Sequence, residues 1–349
     1  MSFGSLSAVG ALLLAWSFFR RRRLAAARQH TAGGQSRPSL AGIGLNPLGR
    51  RLVGCNAIAL AGGVFFFSLS SRGLTIDWST AWLAILPLAA LLIAWLNFYV
   101  APGSARERFV AELLLLTFLM LLLTNVLVPM QYGALAMGRQ YADPWLAAAD
   151  AHIGVHVPTL VAWTSAHPLV SRLAAFTYFT FAPQLLLTVL ALAALRERER
   201  LWEFAFHFHF CLTVTIAALA IWPSMCAAPY YGFTPTIDYA RAITQITGFH
   251  DGSLTMIRFD DLEGLVSFPS FHVAGAMLVT WAFRHRRRVL IPLMLLNTGL
   301  AISTVITGEH YAVDVLAAVP VVAGSLAAYR WWGRRLLTAE EVVPQLKAA

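Results

Sequence analysis

An all-α fold, a polytopic bundle of membrane helices, is what this sequence predicts, and three observations carry the prediction. Hydrophobic residues make up 58% of the 349 and charged residues only 12%, with a mean hydropathy of +0.65, a balance that soluble domains do not keep. The apolar residues gather in runs near the roughly 20 residues that a bilayer core requires. The charges flank those runs. The net charge of +9 is thus placed as a topology signal and not as a nucleic-acid footprint, so no nucleic-acid partner is expected.

Taken in order, residues 6–19 are apolar but short and precede Arg20 to Arg23, whereas a secretory signal carries its charge before the apolar core. They form either a first span or a peripheral anchor. Residues 24–51, with glycine, serine, proline and scattered arginine, read as a linker without chemistry. Eight candidate spans follow, at about 52–70, 80–100, 109–129, 170–195, 201–222, 269–283, 289–307 and 311–332. Cys55, Cys211 and Cys226 offer no disulfide framework and no metal site is expected.

Orientation follows from counting. Of the 26 Lys and Arg residues, five (Arg72, Arg139, Arg172, Arg241 and Arg258) fall on one side of this arrangement and 21 on the other. The basic side is therefore read as cytoplasmic. The two long loops, 130–169 and 223–267, then lie on the extracytoplasmic face. The first mixes apolar and polar residues from Tyr141 to Trp163 as interfacial helices do. The second, with Tyr230, Tyr231, Arg258, Asp260, Asp261 and Glu263, is too long for a connector and reads as a lid.

Two histidine motifs, Ser267-Phe268-Pro269-Ser270-Phe271-His272 and Gly308-Glu309-His310-Tyr311-Ala312-Val313-Asp314, bound an apolar hairpin whose turn is Arg284-His285-Arg286-Arg287-Arg288. If both arms cross the bilayer, His272 and His310 end on one face. Pro269 suits the first turn of a helix and would leave the N–H groups of Ser270, Phe271 and His272 free for an anion, at a membrane most often a phosphate ester. His310 and Asp314, four apart, share a helical face, so the carboxylate can orient the imidazole as a nucleophile. His272 is then the acid for the departing oxygen, a task worth about 10²–10⁴-fold in rate.

Other polar residues read more plainly. His207 and His209, two apart in a phenylalanine-rich run, do not share a face and are assigned to packing. His152, His156, His167 and His250 are interfacial, and Asp143 and Asp150 serve as helix caps or pair with Arg139. Asp314, at the end of an apolar span, is expensive to bury and therefore functional.

The pair Pro269-Ser270-Phe271-His272 and His310-x-x-x-Asp314, whose histidines are 38 residues apart, resembles the second and third signatures of the type 2 phosphatidic acid phosphatase superfamily. Phe268 before the proline, with His250-Asp251-Gly252-Ser253 and Gly264-Leu265-Val266, resembles the branch that includes the inositol phosphorylceramide synthases. The resemblance covers roughly residues 109–332. It implies residues 109–335 as a six-helix catalytic core, 1–51 as N-terminal segment and linker, 52–108 as accessory helices and 336–349 as a cytoplasmic tail. It also implies a metal-independent, cofactor-free reaction through a phosphohistidine, with a lipid phosphate as substrate, His310 as nucleophile, Asp314 its partner, His272 the acid and Ser270 a phosphate ligand. The location implied is a bacterial inner membrane, with the site facing the periplasm or exterior. The family's first signature needs a lysine, but Lys347 is the only one here, and Thr304 stands where the third signature has arginine. Arg139 is the first substitute and Arg258 the second. A non-catalytic carrier, or an inactive relic of the fold, is the alternative reading, its motive being these absent cations.

Overall fold

The computed structural model describes residues 47–69, 73–100 and 105–347; the expectations for residues 6–19 and for the linker as far as residue 46 lie outside the described residues. Among the described residues the chain forms thirteen helices and one pair of short strands. They are α1 (Pro47–Leu69), β1 (Thr75–Ile76), α2 (Trp82–Val100), α3 (Ala105–Ala136), α4 (Asp143–His152), α5 (Val157–Ala166), α6 (Pro168–Phe179) and α7 (Phe181–Ala194), followed by α8 (Arg198–Ile221), α9 (Ala227–Tyr231), α10 (Ala240–Asp251), β2 (Met256–Ile257), α11 (Phe271–Ala282), α12 (Arg287–Ile306) and α13 (Ala312–Lys347).

Four helices, α3, α8, α12 and α13 as far as Trp332, are long and apolar enough to cross a membrane, and α6 with α7, bent by 42°, makes a fifth if the pair is one span. The fold is thus the all-α, multi-pass helical bundle expected. The described residues fall into two units: α2 with α3 as far as Leu122, and α1, β1 and the chain from Leu123 onward. The second unit holds both histidine motifs.

Three of the eight expected spans, 52–70, 80–100 and 269–283, are not among the helices long and apolar enough to cross and count only as shorter apolar helices among the described residues. The stretch 269–283 forms a helix only from Phe271 to Ala282, 12 residues, or about 18 Å at 1.5 Å per residue, well short of a ~30 Å hydrocarbon core. The loss is at its start. Residues 267–270 are a turn, and Ser270, extended at φ −63° and ψ 112°, caps the helix by accepting the Val273 N–H. Pro269 therefore precedes the cap instead of opening the helix, because a serine hydroxyl can satisfy a free N–H and proline cannot. At the other end Arg284 pairs with Glu203 of α8 at 2.8 Å and Arg286 with Glu197 at 2.6 Å, so the basic turn also holds two helices together.

The break between α6 and α7 at Thr180 has a purpose visible in its neighbours. Phe181, just past it, packs on α11 at Gly275, where a Cβ would stand 2.6 Å from the ring, so glycine permits the close approach. Asn297 of α12 donates to Ala276 O at 3.0 Å and Thr280 Oγ1 at 2.9 Å of α11, fixing the hairpin's register.

The long connections are ordered. Residues 223–267, expected as a lid, contain α9, α10 and β2, and are a pinned cover. β2 pairs in parallel with β1. The last turn of α3, which runs past Pro129, holds the segment through Gln131, whose Oε1 accepts from Leu265 N at 2.9 Å. Tyr132 Oη adds to this by accepting from Glu263 N and donating to Gln245 Oε1, each at 2.9 Å. In the loop 130–169, α4 and α5 pack Leu146, Val157 and Val161 against Ala227, Val305 and Tyr311.

That cluster seats the start of α13. Asp150, fully buried on α4, accepts the N–H groups of Ala312 and Val313 at 2.8 Å each, meeting the orphan donors and positive end of the helix dipole. Asp150→Ala is therefore expected to destabilise the protein by about 1–3 kcal/mol, the cost of leaving buried donors unsatisfied, and Asp150→Asn by less. Thermal melting in detergent micelles checks this, and unchanged melting of the alanine variant would contradict the assignment.

Candidate active site

The site is built from three helix starts and the turn before each. The turn 267–270 brings Ser267 and Ser270 against α13, where Ser270 N donates to Asp314 O at 3.1 Å. Ser267 Oγ donates to Asp314 Oδ2 at 2.9 Å, and the same oxygen accepts Tyr311 N at 3.0 Å and faces His310 Nδ1 at 3.1 Å. An ionised carboxylate only accepts, so the proton between them belongs on Nδ1. Nε2 then carries the lone pair and faces Ser270 Oγ at 3.3 Å. Asp314 is fully buried and His310 nearly so.

His272, at the first turn of α11, faces His310 with ring centroids 6.0 Å apart. Tyr178 at the end of α6 and Phe181 at the start of α7 hold its ring from 4.8 and 4.7 Å. The helix break thus supplies one aromatic from each half to a single imidazole. The two histidines come together through these contacts and the α11–α12 register. Two full spans are not needed for it.

Of the sequence-predicted residues, His310, Asp314, His272 and Ser270 form one cluster and the two arginines stay outside it. Arg258 is held between Asp260, at 2.8 Å, and Asp77, at 3.0 Å. Arg139 is exposed and lines an open cleft of about 410 Å³ with Tyr141, Trp145 and Trp222. Trp222 meets Phe268, just before the Pro269–Ser270 turn, at 6.3 Å, so the cleft borders the site without reaching its histidines. At the position of the missing arginine, Thr304 is fully buried and turns its hydroxyl to Ala301 O at 2.8 Å. Its own carbonyl accepts His310 N at 3.0 Å.

Three further acids matter that the sequence reading left without a role or paired otherwise. Neither Asp143 nor Asp150 pairs with Arg139. Asp143, fully buried, accepts from Ser224 Oγ at 2.9 Å, Met225 N at 3.0 Å and Tyr311 Oη at 3.0 Å. Burial pushes its carboxyl above the usual range, and those three donors pull it back. The seven-residue spacing of Asp143 and Asp150 puts both on one face of α4, the only advance signal of a shared partner. Glu309 is only 2% exposed, and its Oε1 has no hydrogen-bond partner. Burial raises this carboxyl to about 7, although Tyr178 and His310 oppose the rise. His207 and His209 pack in α8, His207 against Tyr329 and His209 on Ala205 O. Among the described residues no group of three or more His, Cys, Asp or Glu side chains is arranged to hold a metal ion.

Neither a curated protein nor a solved structure gives a significant match to the chain. A family model described as PAP2 superfamily matches residues 144–328. That stretch is more than half of the chain, begins in α4, ends within α13 and contains His272, His310 and Asp314, and on this match the chain belongs to the PAP2 superfamily.

Proposed function

We propose that the protein is an integral membrane lipid phosphatase or phosphotransferase that works through a phosphohistidine on His310. Membership of the PAP2 superfamily suggests a phosphatase-type activity, and one observation carries the finer reading: the chain from Asp314 Oδ2 through the His310 ring to Ser270 Oγ, with steps of 3.1 and 3.3 Å. A ring held by one nitrogen and open at the other is an activated nucleophile.

In the first step the Nε2 lone pair attacks phosphorus, the bond to the ester oxygen breaks, and His272 gives that oxygen its proton. Asp314 offsets the positive charge that develops on the His310 ring. In the second step water or a lipid alcohol attacks phosphorus, its proton passes to His272, and the P–N electron pair returns to Nε2. No metal-activated water is required, because the imidazole is itself the nucleophile.

The substrate is read as a lipid phosphate or phospho-head group. The Phe268-to-His272 motif favours the inositol phosphorylceramide synthase-like branch, and residues 109–335 serve as the catalytic core. The charge asymmetry of the sequence supports a site on the extracytoplasmic face, and a bacterial inner membrane is the location proposed with it. Arg139 is assigned to the head group at the mouth of the Trp145–Trp222 cleft. Arg258 has no part, since Asp77 and Asp260 already hold it. The carrier or relic reading keeps one observation in its favour: among the described residues no Lys or Arg bonds the histidine cluster.

Vanadate separates the two readings. It is expected to raise the melting temperature of the parent protein and not of His310→Ala, and the purified parent is expected to release phosphate from, or transfer a head group between, lipid substrates that His310→Ala leaves untouched. Undiminished turnover in His310→Ala would end the mechanism, and absence of vanadate binding in a folded parent would favour the relic. The role of His272 has its own signature. Substituted by glutamine, it should cost about 10²–10⁴-fold on an alkyl phosphate but far less on a nitrophenyl phosphate, whose leaving group needs no proton. Equal losses on both esters would remove His272 as the acid.

A further inference from the structure

A phosphate site ordinarily draws on arginine or lysine, yet the groups surrounding the His310–His272 pair are acids and hydroxyls. Two of them have an oxygen without a hydrogen-bond partner, Asp314 Oδ1 and Glu309 Oε1; Asp314 is committed to His310, Ser267 and Tyr311 through its other oxygen, which leaves Glu309. It sits immediately before His310 and near Tyr178, whose hydroxyl acts on its carboxyl and whose ring lies against His272. The turn that carries it is fixed. Gly308 has φ +95°, and a Cβ there would meet the Phe233 ring at 2.5 Å, while its carbonyl accepts Ala228 N at 3.0 Å. The Glu309 side chain is thus held inside, with Oε1 unpartnered.

We propose that Glu309, as a neutral carboxylic acid, donates its O–H to a non-bridging oxygen of the phosphoryl group at His310 and so takes the place of the missing cation. The inference rests on the phosphoryl-transfer reading above. Without a set of donors like the three that Asp314 has on Oδ2, an ionised, cation-free Glu309 is costly to bury and would repel phosphate. The neutral acid avoids both costs and supplies a donor where a donor is lacking. Burial already holds this carboxyl at about 7, and an arriving anion favours the proton further.

The sign follows. Below about 7 the acid is neutral and anion binding is strong; as pH rises above that value a proton must be taken up with each anion, so affinity falls by about tenfold per unit. The other titratable groups facing Glu309 are His310 beside it, His272 from α11, Asp314 from α13, Tyr178 from α6, and Cys226 and Tyr239 from the 223–267 segment.

Tungstate, whose charge does not change between pH 6.5 and 8.5, is the probe, with affinity measured by calorimetry on the detergent-solubilised full chain. The parent is expected to lose affinity as pH rises through this range. Glu309→Gln, permanently neutral and still a donor, is expected to match the parent within a few-fold at pH 6.5 and to stay flat. His272→Gln, which removes another titratable group at the site, is expected to keep the parent's slope. A parent with no slope, a slope surviving in Glu309→Gln, a slope lost in His272→Gln, or a folded Glu309→Gln more than tenfold weaker at pH 6.5 each overturns the proposal. Should tungstate not bind the parent at all, it is the phosphoryl-transfer reading that fails.

Discussion

The carboxyl of Asp314 is the constraint on which the rest of the site depends. A carboxylate removed from water must be met by donors; Oδ2 of Asp314 collects three, the Ser267 hydroxyl, the Tyr311 N–H and the His310 ring, while Oδ1 has no hydrogen-bond partner. Its backbone carbonyl takes a fourth from Ser270. These donors come from both motifs, so satisfying the acid sets the turn before α11 and the start of α13 in one arrangement. The orientation of the His310 ring then follows from meeting a buried charge. Asp143 and Asp150 repeat the logic from α4, one anchoring the Tyr311 hydroxyl and the other the first N–H groups of α13.

What could be read in advance follows from the range of the physics involved. Run length and hydropathy report the solvent around a segment, and they gave the helical membrane bundle. The four-residue spacing of His310 and Asp314 is local geometry and needs no tertiary knowledge. The start of α11 was misplaced because Pro269 and Ser270 both suit a helix N-terminus, proline as first residue and serine as cap. Only the partner of the serine hydroxyl decides between them. Helix capping was legible for Asp150, but the partners of Asp143, Asp150, Gln131 and Tyr132 were not: periodicity gives the face a side chain occupies and says nothing of what lies opposite. Asp150 and Val313 are 163 residues apart.

The placement of charge explains a second feature. Arginines at the turns 196–200 and 284–288 have acids to meet, Glu197 and Glu203, and tie α8 to the α11–α12 hairpin. The opposite end of the bundle has acids too, but they are met by backbone N–H groups and hydroxyls. Of the cations there, Arg241 and Arg258 pair among surface acids and Arg139 stands at the cleft. An anion entering past Arg139 would leave its cationic partner behind and meet a dipolar interior.

The break at Thr180 shows how the interior is made specific. A straight helix over 168–194 would present residues 178 and 181 three apart on one ridge. The 42° bend brings both rings instead to within 5 Å of the same imidazole. Gly275 makes room for one of these rings. His272 is thereby held by shape on the sides where it makes no hydrogen bond among the described residues. An imidazole so placed keeps both ring nitrogens available, which one fixed through hydrogen bonds does not.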